Sequence, residues 1–127
     1  AAAVSQAGGL GSFGGIHSDG PDFVREQVRY IRSQTDQPFG IGFITRFIPD
    51  WPQNFEAALD EGVPVIAFSF AYPQPWLARA KQAGAITVCQ VQSLEGAAEG
   101  KAEFPWELAH GIHSIQILRG LYVRLSA

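Results

Sequence analysis

Three histidines, His17, His110 and His113, are the side chains here best suited to moving protons. Imidazole titrates near neutrality, so each is a candidate for acid–base work on residue type alone. His110 and His113 are three apart, a spacing that on a helix would let both reach one metal ion. No third ligand falls beside them, and surface or tail histidines are far commoner, so no metal site is expected. Asp19, Asp22, Asp36, Asp50 and Asp60 fall where caps, turns and wet helix faces belong, which leaves paired-carboxylate chemistry without support. Gly8, Gly9, Gly11, Gly14 and Gly15 could let a backbone approach a phosphate or a ring, or could simply make turns. Their spacing matches neither phosphate-loop fingerprint. Cys89, in an apolar run, reads as a buried thiol. Ser69, Gln90 and Gln92 stand at the ends of apolar runs, where polar groups need partners or solvent.

The elements that must position these residues are strands and helices in alternation. Val63 to Phe70 is a near-continuous apolar run of strand length, and the segment 71–75 supplies turn chemistry through its two prolines. Trp76, Leu77, Ala80 and Ala83 share a helical face, and Gly84 is placed as a C-terminal cap. The segment 85–91 is a second buried-type strand. Two such strands joined by a helix point to a parallel sheet with covered faces and a right-handed crossover.

The same unit recurs along the chain. Residues 1–7 read as the end of a helix, followed by a short strand and a glycine-rich turn over 9–15. Ser18 or Asp19 can cap the next helix, with Pro21 in its first turn and Val24, Val28 and Ile31 facing inward. Phe39 to Ile44 is a strand whose Gly40 and Gly42 suggest close approach by another group. A loop over 46–52, a helix over 53–60 with Phe55, Ala58 and Leu59 inward, and a helix capped by Ser93 complete the pattern. Strands recur every ~22 to 30 residues, which suits a (β/α) barrel or an open doubly wound sheet. The fold expected is α/β: repeated βα units forming a half TIM barrel with parallel strands, plus a divergent tail.

Composition bounds the rest. With 127 residues, 46% hydrophobic and 17% charged, the chain suits one folded domain rather than a disordered one. A net charge of −3 gives no electrostatic case for nucleic acid. No apolar run reaches the ~20 residues that span a bilayer, and no signal peptide opens the chain. A single cysteine excludes an internal disulfide and suits the cytoplasm. The chain has no methionine, and its opening alanines read as a helix end rather than a natural beginning.

Four stretches carry a resemblance to a known family: residues 2–11 (AAVSQAGGLG), 38–43 (PFGIGF), 65–70 (VIAFSF) and 89–93 (CQVQS). In order and natural spacing they resemble the flavin-dependent nitronate monooxygenases, formerly called 2-nitropropane dioxygenases, which have a flavin-type enoyl-acyl-carrier-protein reductase as a close relative. The resemblance covers residues 1–99 and implies the N-terminal part of an FMN-binding TIM barrel, with FMN at the C-terminal ends of the strands. It implies Gly42, Ser69 and Gln90 as cofactor-binding positions; where the family often has a flavin-contacting asparagine, this chain has Gly42. His17 does not align with the family's catalytic histidine, and no catalytic residue is carried over. The family's opening proline-methionine-alanine-glycine turn, its glycine-glycine-histidine segment and its phosphate-holding strands have no counterpart in this chain.

Residues 100–127 match nothing in that family. A short helix from Pro105 to about His110 is expected, then extended structure, because Ile115, Ile117, Leu121, Val123 and Leu125 alternate around Arg119-Gly120. The function expected is that of a catalytically incompetent half barrel that self-associates, as a homodimer or larger, with room for a small-molecule ligand. The alternatives are an FMN oxidoreductase active as an oligomer and a truncated product without selected function. Self-association is expected because an open half barrel leaves two edges and one face bare, with Phe43, Ile44, Phe68, Phe70 and the neighbours of Val88 in water. The tail is expected to help cover that face.

Overall fold

The structure, a computed structural model, describes residues 1–91, 112–118 and 121–126. Strands β1 (Gly11–Gly14), β2 (Phe39–Ile44), β3 (Val65–Ser69) and β4 (Ile86–Val91) run parallel in sequence order. Helices α1 (Ala2–Gln6), α2 (Gly20–Gln34), α3 (Pro52–Asp60) and α4 (Trp76–Gln82) alternate with them. The tail contributes β5 (Ile112–Leu118) and β6 (Leu121–Ser126), a hairpin whose β6 pairs antiparallel with β4. The sheet order is therefore β1-β2-β3-β4-β6-β5. Four parallel strands in sequence order, each preceded by a helix among the described residues, make this a partial (β/α) barrel. The helix expected over 105–110 and the one capped by Ser93 lie outside the described residues.

One face of the parallel sheet carries the core. Strand side chains alternate between faces, so Phe39, Ile41 and Phe43 of β2 share a side with Ile66 and Phe68 of β3. All five are buried, together with Val24, Val28 and Ile31 of α2, Phe55, Ala57 and Ala58 of α3, and Leu77 and Ala80 of α4. The 3.6-residue period of α2 brings its three apolar residues onto one stripe, and burying each contributes about 1.5–3 kcal/mol. Phe55 is the hub, with its ring 5.4 Å from Phe43, 6.2 Å from Phe68 and 5.3 Å from Trp76. Glycines in the left-handed region end α3 (Gly62, φ +61) and α4 (Gly84, φ +84), where a side chain would be strained. Arg32 of α2 donates to the carbonyls of Glu61 and Gly62 at 2.6 and 3.2 Å, satisfying the exposed end of α3.

Three expectations need correction. Phe43 and Phe68 are not on the bare face: they are 1% and 2% exposed, because alternation turns them under the helices. Neither Ser18 nor Asp19 caps α2 with its side chain. The Asp19 carboxylate instead lies 3.4 Å from His17 Nδ1, because the chain enters α2 through a turn in which the Gly20 N–H donates to the His17 carbonyl. The loop over 46–52 is largely a 3-10 helix, Thr45–Asp50, accommodating Pro49. The tail hairpin joins the sheet edge at β4, where β6 pairs with it through the backbone.

Candidate functional site

The opposite face of the parallel sheet is built from Ser12 and Gly14, then Gly40, Gly42 and Ile44, then Val65, Ala67 and Ser69, then Ile86, Val88 and Gln90. Among the described residues no helix lies over it. Ile44 is 37% exposed and Ile86 51% exposed. Its middle row is Gly14, Gly42, Ala67 and Val88, in register across four strands. Three of those four residues have one side-chain carbon or none, so the row is a shallow shelf.

The shelf is open at Gly42. Among the described residues, a Cβ placed there would meet only the Phe13 carbonyl oxygen at 3.8 Å, and one at Gly14 would meet nothing within 4 Å. Gly40 differs: Val65 Cβ at 3.5 Å and Ser12 Cβ at 3.6 Å already close around it. Of the two glycines expected to mark close approach, Gly40 is packed by its neighbours and Gly42 leaves room. Gly15 is tighter again, since a Cβ there would fall 2.5 Å from Phe43 Cζ.

Beyond the shelf, toward the C-terminal strand ends, stand Ser69 and Gln90, both half-buried. Ser69 is in register with Ile44, and its hydroxyl donates to the Phe43 carbonyl at 3.4 Å. Gln90 follows Cys89, which is registered with Phe68, and so takes the place beside Ser69. The structure thus brings Gly42, Ser69 and Gln90 onto one face of the sheet, Gly42 in the middle row and Ser69 and Gln90 toward the C-terminal strand ends. Gln92 lies outside the described residues.

The segments leaving these strand ends add exposed aromatic and charged groups. After β2, Arg46 lies over the Phe47 ring at 5.0 Å. After β3, Phe70 holds φ +55 while 51% exposed, and Tyr72 is exposed beyond it. A bulky residue in the left-handed region costs about 1–2 kcal/mol, and such strain gathers at functional sites. After β1, the His17 ring stacks on Phe23 at 3.9 Å and 12°, and its Nδ1 accepts the Asp19 N–H at 3.2 Å. His17 is therefore placed at the correct end of the sheet but is held by its own loop.

The remaining candidates are not gathered there. Cys89 points to the helix side and packs partly buried against the core. His113 lies on β5, and His110 is outside the described residues. Among the described residues no three His, Cys, Asp or Glu side chains are grouped to hold a metal. An open groove lined by Arg32, Asp36, Gln37, Phe39 and Pro64 lies at the N-terminal strand ends, away from Ser69 and Gln90. Sequence reading missed the Arg46–Phe47 pair, the strained Phe70 and the buried Asn54. Only Asn54 left a signal, as an amide four residues before Ala58 on the apolar stripe of its helix.

Comparison with known proteins gives a consistent picture of this architecture. No family model matches the sequence. The chain is 33% identical over 86 residues to a (3aS,4S,5R,7aS)-5-hydroxy-7a-methyl-1-oxo-octahydro-1H-indene-4-carboxyl-CoA dehydrogenase of Mycobacterium tuberculosis, a match covering 68% of this chain and 24% of that protein. FabK from Thermotoga maritima superposes with a TM-score of 0.72 at 32% identity, over 80% of this chain and 32% of FabK. A point variant of that FabK gives a TM-score of 0.71 at 32% identity, over 80% of this chain and 34% of the variant. The chain thus spans about a quarter of the curated relative and about a third of the solved structures.

Proposed function

We propose that this chain forms the flavin-facing part of an FMN-dependent oxidoreductase barrel of the nitronate monooxygenase type. The observation that carries the reading is that Gly42 opens a shelf on the same face on which Ser69 and Gln90 stand toward the C-terminal strand ends. Ligands of (β/α) barrels bind at that end. The row Gly14, Gly42 and Ala67 fits a flat ring, because among the described residues no side chain comes within 4 Å of a Cβ built at Gly14 or Gly42. Ser69 and Gln90 supply a hydroxyl and an amide that can hydrogen-bond the polar edge of such a ring. Bound FMN would supply reversible two-electron chemistry. The residues of this chain orient the ring and shield one of its faces. The base needed to deprotonate a nitroalkane is assigned to other segments of the barrel, as in the family it resembles.

A second reading concerns the substrate. The curated relative is named for a carboxyl-CoA compound, and the exposed Arg46–Phe47 pair offers a cation and an aromatic face at the same end of the sheet. These suit a phosphate and a purine, so an acyl thioester of coenzyme A competes with a nitronate.

Flavin fluorescence tests the first reading. Quenching on titration of FMN with the chain, weakened by Gln90→Ala without loss of fold, supports it. No quenching by the wild type ends the assignment of Gly42, Ser69 and Gln90. Where FMN binds, a nitronate and an acyl-CoA are compared for the change each makes in the flavin spectrum.

A further inference from the structure

Asn54 lies in the first turn of α3 and is fully buried, at 0% exposure. Its amide nitrogen donates to the Gly15 carbonyl at 3.0 Å and to the His17 carbonyl at 3.2 Å. Its Oδ1 has no hydrogen-bond partner among the described residues. Leaving a buried acceptor unpaired is costly, so an apolar side chain would suit this position better if packing were all it served. What the asparagine contributes is its two donors, and both go to one loop, residues 15–19. The same loop donates the Gly15 N–H to the Gly42 carbonyl at 2.8 Å. It also carries the His17 ring stacked on Phe23.

We infer that Asn54 is a positioning residue. It fixes the loop after β1 against β2 beside the Gly14–Gly42 shelf, and so holds one border of the ligand face in shape. The chain of contacts runs from α3 through Asn54 to Gly15, and from Gly15 to the backbone of Gly42. No side chain on the ligand face itself takes part. The Gly15 carbonyl takes its donor from Asn54, and the His17 carbonyl, which also accepts the Gly20 N–H at 3.1 Å within the turn, takes a second one from there, so the amide ties the loop to α3 at both carbonyls.

The test is Asn54→Asp, which keeps volume and removes both donors, with Asn54→Ala to separate lost donors from repulsion by a new carboxylate. Amide exchange, the NMR spectrum and FMN quenching are followed on the full chain. In both variants the Gly15 and Asp19 amides should exchange faster by about tenfold or more, two net hydrogen bonds being lost. The His17 ring protons should lose the upfield shift imposed by Phe23, while the Val28 and Ile66 amides keep their protection. Unchanged exchange and an unchanged His17 shift overturn the inference. Protection lost throughout the chain also overturns it, since Asn54 would then be an ordinary core residue. FMN binding separates the two claims. A loop response in a chain that never binds FMN upholds the role of Asn54 and ends the flavin reading. FMN binding with no loop response does the reverse.

Discussion

At the scale of single residues, two glycines of the same region should respond in opposite ways. Gly42→Leu places a side chain on the open shelf, where the nearest atom to its Cβ is 3.8 Å away. Its stability in thermal unfolding should stay within about 1 kcal/mol of the parent, while FMN quenching should disappear. Gly15→Ala drives a methyl into the Phe43 ring, which is 1% exposed and cannot move aside. That variant should lose about 1–3 kcal/mol by overpacking. Equal losses in the two variants would show that something already packs on Gly42. Gln90→Ala, half-buried on the same face, should unfold at the parent's temperature and bind FMN more weakly, as quenching titrations would read.

At the scale of elements, α3 and α4 are joined at the surface by a bidentate pair. Arg79 Nη1 and Nη2 each donate to a Glu56 carboxylate oxygen at 2.6 Å. The guanidinium also lies over the rings of Phe55 and Trp76, at 5.6 and 5.9 Å. The hydrogen bonds that Arg79 donates to the Glu56 carboxylate raise its pKa above the ordinary value, against a smaller opposing effect of burial. A raised pKa on a base adds stability that is complete below the unfolded-state value and is lost only as pH rises through the folded one. For arginine that window lies above about pH 12. Arg79→Ala should therefore cost no more than about 1 kcal/mol beyond the packing it removes, both partners being more than a third exposed. The difference between parent and variant should be the same at pH 7 and pH 10 in denaturant titrations. A difference that shrinks across that range would mean another titrating group shares the pair.

At the scale of the whole molecule, the bare face sets the problem. Ile44, Ile86 and Val88 lie on it and Phe70 stands at its rim, all at least partly exposed. Leaving ~400 Å2 of apolar surface in water forfeits ~10 kcal/mol, comparable with the stability of a domain. The β5–β6 hairpin meets a different need, since β6 satisfies the backbone edge of β4 through Val88–Leu125 to Val91–Tyr122. We propose self-association of this chain through the face, with a second copy as the cover and isologous pairing as the commonest form. Light scattering should give at least twice the chain mass, falling to one chain mass in the double variant Ile44→Asp, Ile86→Lys. A parent that stays monomeric at every concentration removes the argument.

What the sequence determined by itself was the order and type of the elements. Apolar runs of strand length separated by helical stripes mark β2 to β4 and α2 to α4 to within two residues at either end, because those periods report local backbone geometry. Gly42, Ser69 and Gln90 came forward as candidates through the family resemblance, not through any period in the sequence. The tertiary structure decided which face each strand residue takes. Phe43 and Phe68 look equally apolar to Ile44 in the sequence, yet register against the helices buries them and leaves Ile44 out. It also decided which glycine leaves room, since Gly40 is closed by Ser12 and Val65 from neighbouring strands while Gly42 is not. Asn54 left a local signal as an amide on an apolar stripe, but its role became legible only in three dimensions, its carbonyl partners lying 39 and 37 residues away. Periodicity reports contacts between near neighbours along the chain; pairing across a sheet and between helix and loop depends on residues far apart, and no local pattern encodes it.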